Sequence, residues 1–132
     1  MTTFRKGDAV TYFGNWDTCG TIRVVDLTVY SAGKKQMILV DANGVKFAGQ
    51  NFQPSIVQGV NTFCEVHPRM TADDAHAYAL QLGARVVAWE RERMEECITR
   101  EVARYGAAQM QGYVIAVRKS IDKLHEPRFV RE

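Results

Sequence analysis

Cysteine is scarce in this chain, with only Cys19, Cys64 and Cys97 among 132 residues. Three is an odd number and no two stand in a Cys-x-x-Cys pair, which excludes a disulfide framework or a structural zinc of ordinary spacing. A reducing, cytoplasmic setting is the reading that fits. Long apolar runs are also missing: none approaches the roughly 18–20 residues needed to span a bilayer, and the polar start Met1–Asp8 leads straight into a strand pattern. Neither a membrane span nor a secretory leader is expected. Charge of one sign is lacking too, since 17 Lys and Arg face 15 Asp and Glu for a net +2. A strong general polyanion binder is thereby excluded, and any phosphate contact has to come from a local cluster. The balance runs +2 over residues 1–58, −2 over 59–116 and +2 over 117–132.

The usual signs of catalysis are absent as well. Gly44, Gly49 and Gly59 are too far apart for a phosphate-cradling loop, and none of the three cysteines stands in a recognisable nucleophile context. Cys64, His67, Asp73, Asp74 and His76 hold possible ligand types, but their spacing matches no familiar metal pattern. The chain is therefore read as not an enzyme, without cofactor or metal. What is present is ordinary for one compact globular chain: 46% hydrophobic and 24% charged residues.

The first half is rich in Val, Ile, Tyr, Phe and Thr over residues 8–13, 20–30, 36–40 and 45–48, separated by Gly, Asn and Asp clusters. That pattern predicts an antiparallel meander. Its strongest local signal is Asp41-Ala42-Asn43-Gly44, because Asn-Gly supplies the positive φ that a tight hairpin requires. In Thr21–Tyr30 the alternation slips, with Ile22 and Val24 on one face and Val25, Leu27 and Val29 on the other. A slip near Val24 and Val25 predicts a bulge or sharp bend, which a small closed barrel uses to turn its corner. Residues 51–58, with Pro54, would then cross back, and 62–66 would form a last strand.

At Thr71 the period changes from two to about 3.6. Thr71 is a good N-cap, with Asp73 and Asp74 placed to face the positive end of the helix dipole. Ala75, Ala79, Leu82, Val86 and Trp89 follow at spacings of three and four, with Gly83 a point of weakness. A second stripe runs through Val87, Met94, Ile98, Val102 and Tyr105. Beyond Gly106 the series Met110, Val114, Val117, Ile121 and Leu124 repeats at coiled-coil spacing, out of phase with the preceding stripe. A turn is expected across Gly106–Gln109. On the polar side, Arg91/Glu95 and Glu96/Arg100 are expected as i,i+4 pairs. A helix from Thr71 to Tyr105 would be about 50 Å long, more than a barrel of this size can cover, so part of it has to meet another helix or another subunit.

The expected architecture is α+β: an N-terminal SH3-like antiparallel β-barrel over residues 1–66, then a helical region over 67–132 of two to three helices forming a helical hairpin. Phe4-Arg5-Lys6-Gly7-Asp8-Ala9-Val10, followed by Gly20-Thr21-Ile22-Arg23-Val24-Val25, resembles the opening of SH3-like barrels of the KOW and Tudor type. It is also similar to the N-terminal module of CarD-type transcription regulators, which binds RNA polymerase. The resemblance covers residues 4–58. It implies recognition of a nucleic acid or of a nucleic-acid-associated protein machine such as RNA polymerase.

Small barrels of this kind stack ligands on aromatics while nearby cations neutralise phosphate or meet acidic groups. The candidates here are Tyr12, Trp16, Arg23, Tyr30, Lys34, Lys35 and Lys46, with Trp16 foremost because it stands in a polar loop, Gly14-Asn15-Trp16-Asp17. The helical half offers a different possibility. A β-module followed by two helices is similar in plan to the Thoeris anti-defence sponges, phage or mobile-element counter-defence oligomers that sequester cyclic nucleotide signals. That plan implies a homo-oligomer formed through the C-terminal helices, with Arg100, Arg104, Arg118 and Lys119 around a small anion. A direct protein inhibitor presenting the acidic helix face to a basic groove is a further alternative. The tail Arg118-Lys119, Lys123, Arg128 and Arg131 is read as a flexible basic segment, with an anionic ligand at an oligomer interface as the alternative.

Overall fold

The computed structural model describes residues 3–15, 20–33, 36–47 and 65–131. In chain order the elements are β1 (Ala9–Asn15), β2 (Thr21–Ala32), β3 (Met37–Val40), β4 (Glu65–Pro68), α1 (Ala72–Tyr105), α2 (Gln111–Asp122) and β5 (Arg128–Arg131). They form an α+β fold: one five-stranded sheet with two helices. Strands run in the order β3-β2-β1-β4 through antiparallel pairings, while β5 lies parallel to the start of β2. Among the described residues the sheet is open, with no pairing that joins β4 to β3. The expected crossing segment 51–58 lies outside the described residues, as do residues 62–64 of the expected last strand.

The expected bulge at Val24 and Val25 is absent. β1 and β2 stay in unbroken register from Ala9↔Thr28 to Asn15↔Ile22, and the irregularity sits further on, between Val29 and Ser31 against β3. The apparent slip has a different cause, because both faces of β2 are buried. Ile22 and Val24 join Phe13 in a core under α1 with Ala75, Ala79, Leu82 and Val86. Val25, Leu27 and Val29 join Phe4, Val10, Tyr12, Met37, Leu39 and Val66 on the opposite face. A strand apolar on both sides is one serving two cores.

The Asn-Gly turn forms as expected. Gly44 takes φ +78°, and the Asp41 carboxylate accepts hydrogen bonds from the Asn43 and Val45 amides at 2.8 and 3.0 Å. The returning chain pairs less than predicted, through a single Val40↔Lys46 bridge and a bond from the Phe47 amide to the Leu39 carbonyl.

The Thr71 hydroxyl caps α1 by accepting from the Asp74 amide at 3.2 Å. The helix then passes unbroken through Gly83, whose lack of a side chain admits the neighbouring chain. A Cβ there would stand 2.9 Å from the Gly20 carbonyl oxygen and 3.0 Å from Pro127. The helix therefore accepts the propensity cost of glycine in exchange for close contact with the sheet. Gly106, at φ +90°, ends α1 with its amide bonded to the Val102 carbonyl, and α2 packs back against α1.

The tail is a strand rather than a free basic segment. β5 pairs Thr21↔Arg128 through Val24↔Arg131, and Phe129 packs against the α1-side core. Arg131 is drawn in by Asp26 at 2.6 Å. Asp26 also accepts from the Thr11 hydroxyl and lies 3.5 Å from Arg69, whose guanidinium donates to the Val10 and Leu27 carbonyls. One carboxylate thus ties the chain's last strand and the exit of β4 to the central pair of strands.

Candidate functional site

Three side-chain groupings carry chemistry, one on each side of the sheet and one beyond it. On the face away from α1, Arg23 of β2 sets its guanidinium 4.8 Å above the Phe47 ring, and Phe47 stacks on Tyr12 with centroids 4.8 Å apart. The alternation of β2 points Arg23 to this face, while the Asn-Gly turn brings Phe47 back over it. Tyr12 is only 6% exposed and belongs to the core, so it supports the stack from beneath. Lys46 is exposed beside Phe47, and Tyr30 is 57% exposed. Trp16, Lys34 and Lys35 lie outside the described residues. The grouping sets a cation on an aromatic ring, with a second, exposed cation next to that ring in sequence; cations and aromatic rings are the residue types that meet phosphates and bases.

On the α1 face lies a polar cluster centred on Glu65, only 2% exposed. Its carboxylate is bonded to the His67 Nε2 at 2.8 Å, accepts from the Tyr78 hydroxyl, and meets the Arg85 guanidinium at 3.2 Å. The spacing brings them together, since Glu65 and His67 share a strand face and Tyr78 and Arg85 are two helical turns apart. Phe13, His67 and Tyr78 close round it edge to face, with centroids 4.8–5.7 Å apart. Burial by itself pushes the Glu65 carboxyl up. The bonds from His67 and Tyr78 and the charges of His67 and Arg85 outweigh it and hold the group below the usual carboxylate range. Burial, then the bond to the Glu65 carboxylate and its charge, push the Tyr78 phenol up to about 12 against the opposing Arg85. Such a carboxylate, engaged by three donors, joins β4 to α1 and is not poised for proton transfer. Sequence reading passed over Glu65, Tyr78 and Arg85; the available signal was a charged residue, Glu65, inside the expected last strand next to an apolar one, Val66. His67 and His76 take separate roles, His76 stacking on Phe129 at 4.3 Å.

The third grouping is the helical hairpin. Ile98, Val102, Ala103, Val114 and Ile115 line an apolar groove of about 590 Å³ between α1 and α2, with Arg118 at its border. Arg100 and Arg104 are exposed on α1 and turn to local partners, Arg100 to Glu101 at 3.3 Å and Arg104 over the Tyr105 ring at 5.2 Å. Lys119 is exposed on α2. Of these four cations Arg118 alone lines the groove. No helix among the described residues is long and apolar enough to cross a membrane. No family model, curated protein or solved structure matches the chain, so its own geometry is the ground for a functional reading.

Proposed function

We propose that the protein is a non-enzymatic binding protein whose sheet half is an SH3-like barrel recognising a nucleic acid or a nucleic-acid-associated machine such as RNA polymerase, and whose helical hairpin serves self-association. The observation that carries the recognition role is the Arg23–Phe47–Tyr12 stack beside exposed Lys46. A guanidinium held on an aromatic ring is pre-oriented, so it gives up little freedom when a phosphate or carboxylate arrives. The barrel reading is supported by the core on this face. It is deeply buried yet, among the described residues, contains none from a helix, the condition a sheet curled on itself produces. Charge supports a local contact rather than a general one, since the chain carries only +2 overall.

The test is fluorescence anisotropy with labelled single-stranded and duplex DNA and RNA at several salt concentrations, alongside co-precipitation with purified RNA polymerase. Binding by the wild type is expected. Arg23→Ala combined with Lys46→Ala is expected to weaken it about tenfold and to lower the salt slope by about two. A wild type that binds neither nucleic acid nor polymerase, or a folded double variant that binds as well as wild type, removes the reading.

A further inference from the structure

The hairpin leaves its apolar surface unfinished. α1 buries Ala75, Ala79, Leu82 and Val86 in the core it shares with the sheet, and Gly83 and Glu90 besides, but beyond Glu90 it buries only Ile98. α2 buries none of its residues; Ile115, which lines the groove, stands 51% exposed, and Tyr105 at the end of α1 45%. Two helices alone cannot enclose stripes on both, and a bundle closes such a seam with further helices.

Charge says which helices. Within α1, apart from the Arg85–Glu65 contact to β4, the ion pairs among the described residues are Glu90–Arg93 and Arg100–Glu101. The expected Arg91/Glu95 and Glu96/Arg100 pairs do not form: Arg100 turns to neighbouring Glu101, and Arg91 has no ion pair among the described residues. Among the described residues Arg91, Glu92, Glu95 and Glu96 are left exposed with no side-chain ion pair, a net acidic set, and so are Arg118, Lys119, Asp122 and Lys123 at the far end of α2, a net basic one. The two sets stand at the same height. Arg118 shares the groove with Ile98 and Thr99, and Leu124 shares a cleft with Ala88 and Arg91, so residues 118–123 run level with residues 91–98. They are level but do not pair within the chain.

We infer that the occupant of this face is a second copy of the chain, docked about a two-fold axis parallel to the helices, so that every residue keeps its height, each α2 lies against the other copy's groove and each basic set meets the other copy's acidic set. The result is an antiparallel four-helix arrangement. A two-fold contact places the same groove and the same two charge sets on both sides, so one hairpin satisfies the other twice. The inference rests on the reading of the hairpin as a self-association element and adds its arrangement.

Sedimentation equilibrium of the full chain tests it, with circular dichroism to confirm folding. The wild type is expected to be a dimer. Lys119→Glu with Lys123→Glu places acid against acid at both contacts, and Glu95→Lys with Glu96→Lys places base against base. Each double variant alone is expected to dimerise at least about tenfold more weakly. Mixed together they complement at both contacts, and a one-to-one heterodimer is expected to return. Repulsion within a hairpin would not be relieved by mixing, so the return separates contact between chains from damage within one. A monomeric wild type overturns both this arrangement and self-association. A dimer indifferent to the charge reversals, or variants that mixing does not restore, overturns the arrangement alone. Nucleic-acid binding is read separately by anisotropy.

Discussion

The two halves of α1 share one helix and one continuous hydrogen-bond ladder, yet they live in different surroundings. Its first five turns lie on the sheet, with Ala75, Ala79, Leu82 and Val86 fully buried against Phe13, Ile22 and Val24. Its remaining turns line a groove with α2, which buries none of its residues. Amphipathic pattern makes both halves helical, but burial in the first half comes from strands of the same chain and in the second half is left incomplete. Stability should therefore concentrate where the helix meets the sheet.

Substitutions on each side sharpen the contrast. Phe13→Ala, at a site with no exposure between sheet and helix, is expected to cost about 3–5 kcal/mol in chemical denaturation. A loss no greater than that of Val117→Ala on half-exposed α2 would erase the contrast. The two helical glycines give a sign test. Gly83→Ala improves helix propensity but drives a Cβ into the Gly20 carbonyl, and a net destabilisation of about 1–3 kcal/mol is expected. A stabilised Gly83→Ala would show that the sheet and helix are not in close contact there.

The Glu65 cluster adds a pH dependence. Because the folded protein holds this carboxyl below its ordinary value, its contribution is present above the unfolded value and is lost as pH falls through the lower folded value. Acid unfolding should therefore steepen below about pH 4, and Glu65→Gln should flatten that limb while lowering stability at neutral pH. Tyr78 acts at the other end. Its raised value favours the neutral phenol, so its contribution is whole below about pH 10 and fades as pH rises towards about 12. Tyr78→Phe should remove that alkaline sensitivity. The smallest effect belongs to the outer helices: Gly112→Ala on α2 meets nothing within 4 Å, and a gain of about 0.5–1 kcal/mol is expected in thermal melts.

Local rules were legible because they act over a few residues. Asn43-Gly44 specified its turn, Thr71 with Asp74 specified the start of α1, and Gly106 specified its end. Periodicity showed that Ile22, Val24, Val25, Leu27 and Val29 split between two faces, but it could not show that both faces are buried. The slip was consequently assigned to a bulge. The last strand escaped notice for a related reason. Phe129 and Val130 stand between arginines, and only pairing with β2 and the ion pair to Asp26, 105 positions away, make them a strand. Glu65 reads as an ordinary charged residue until Tyr78 and Arg85 are brought across from α1.

The sequence by itself determined the element types, the hairpin turn, the helix ends and the excess of apolar helix over available sheet. Each follows from backbone preferences and side-chain periodicity that need no distant partner. Only the tertiary structure decided which faces are covered, why Gly83 is tolerated, where Glu65 finds its donors and which charges on the hairpin stay unpaired. Those outcomes depend on contacts between residues far apart in the chain, and such contacts are fixed by packing rather than by local pattern.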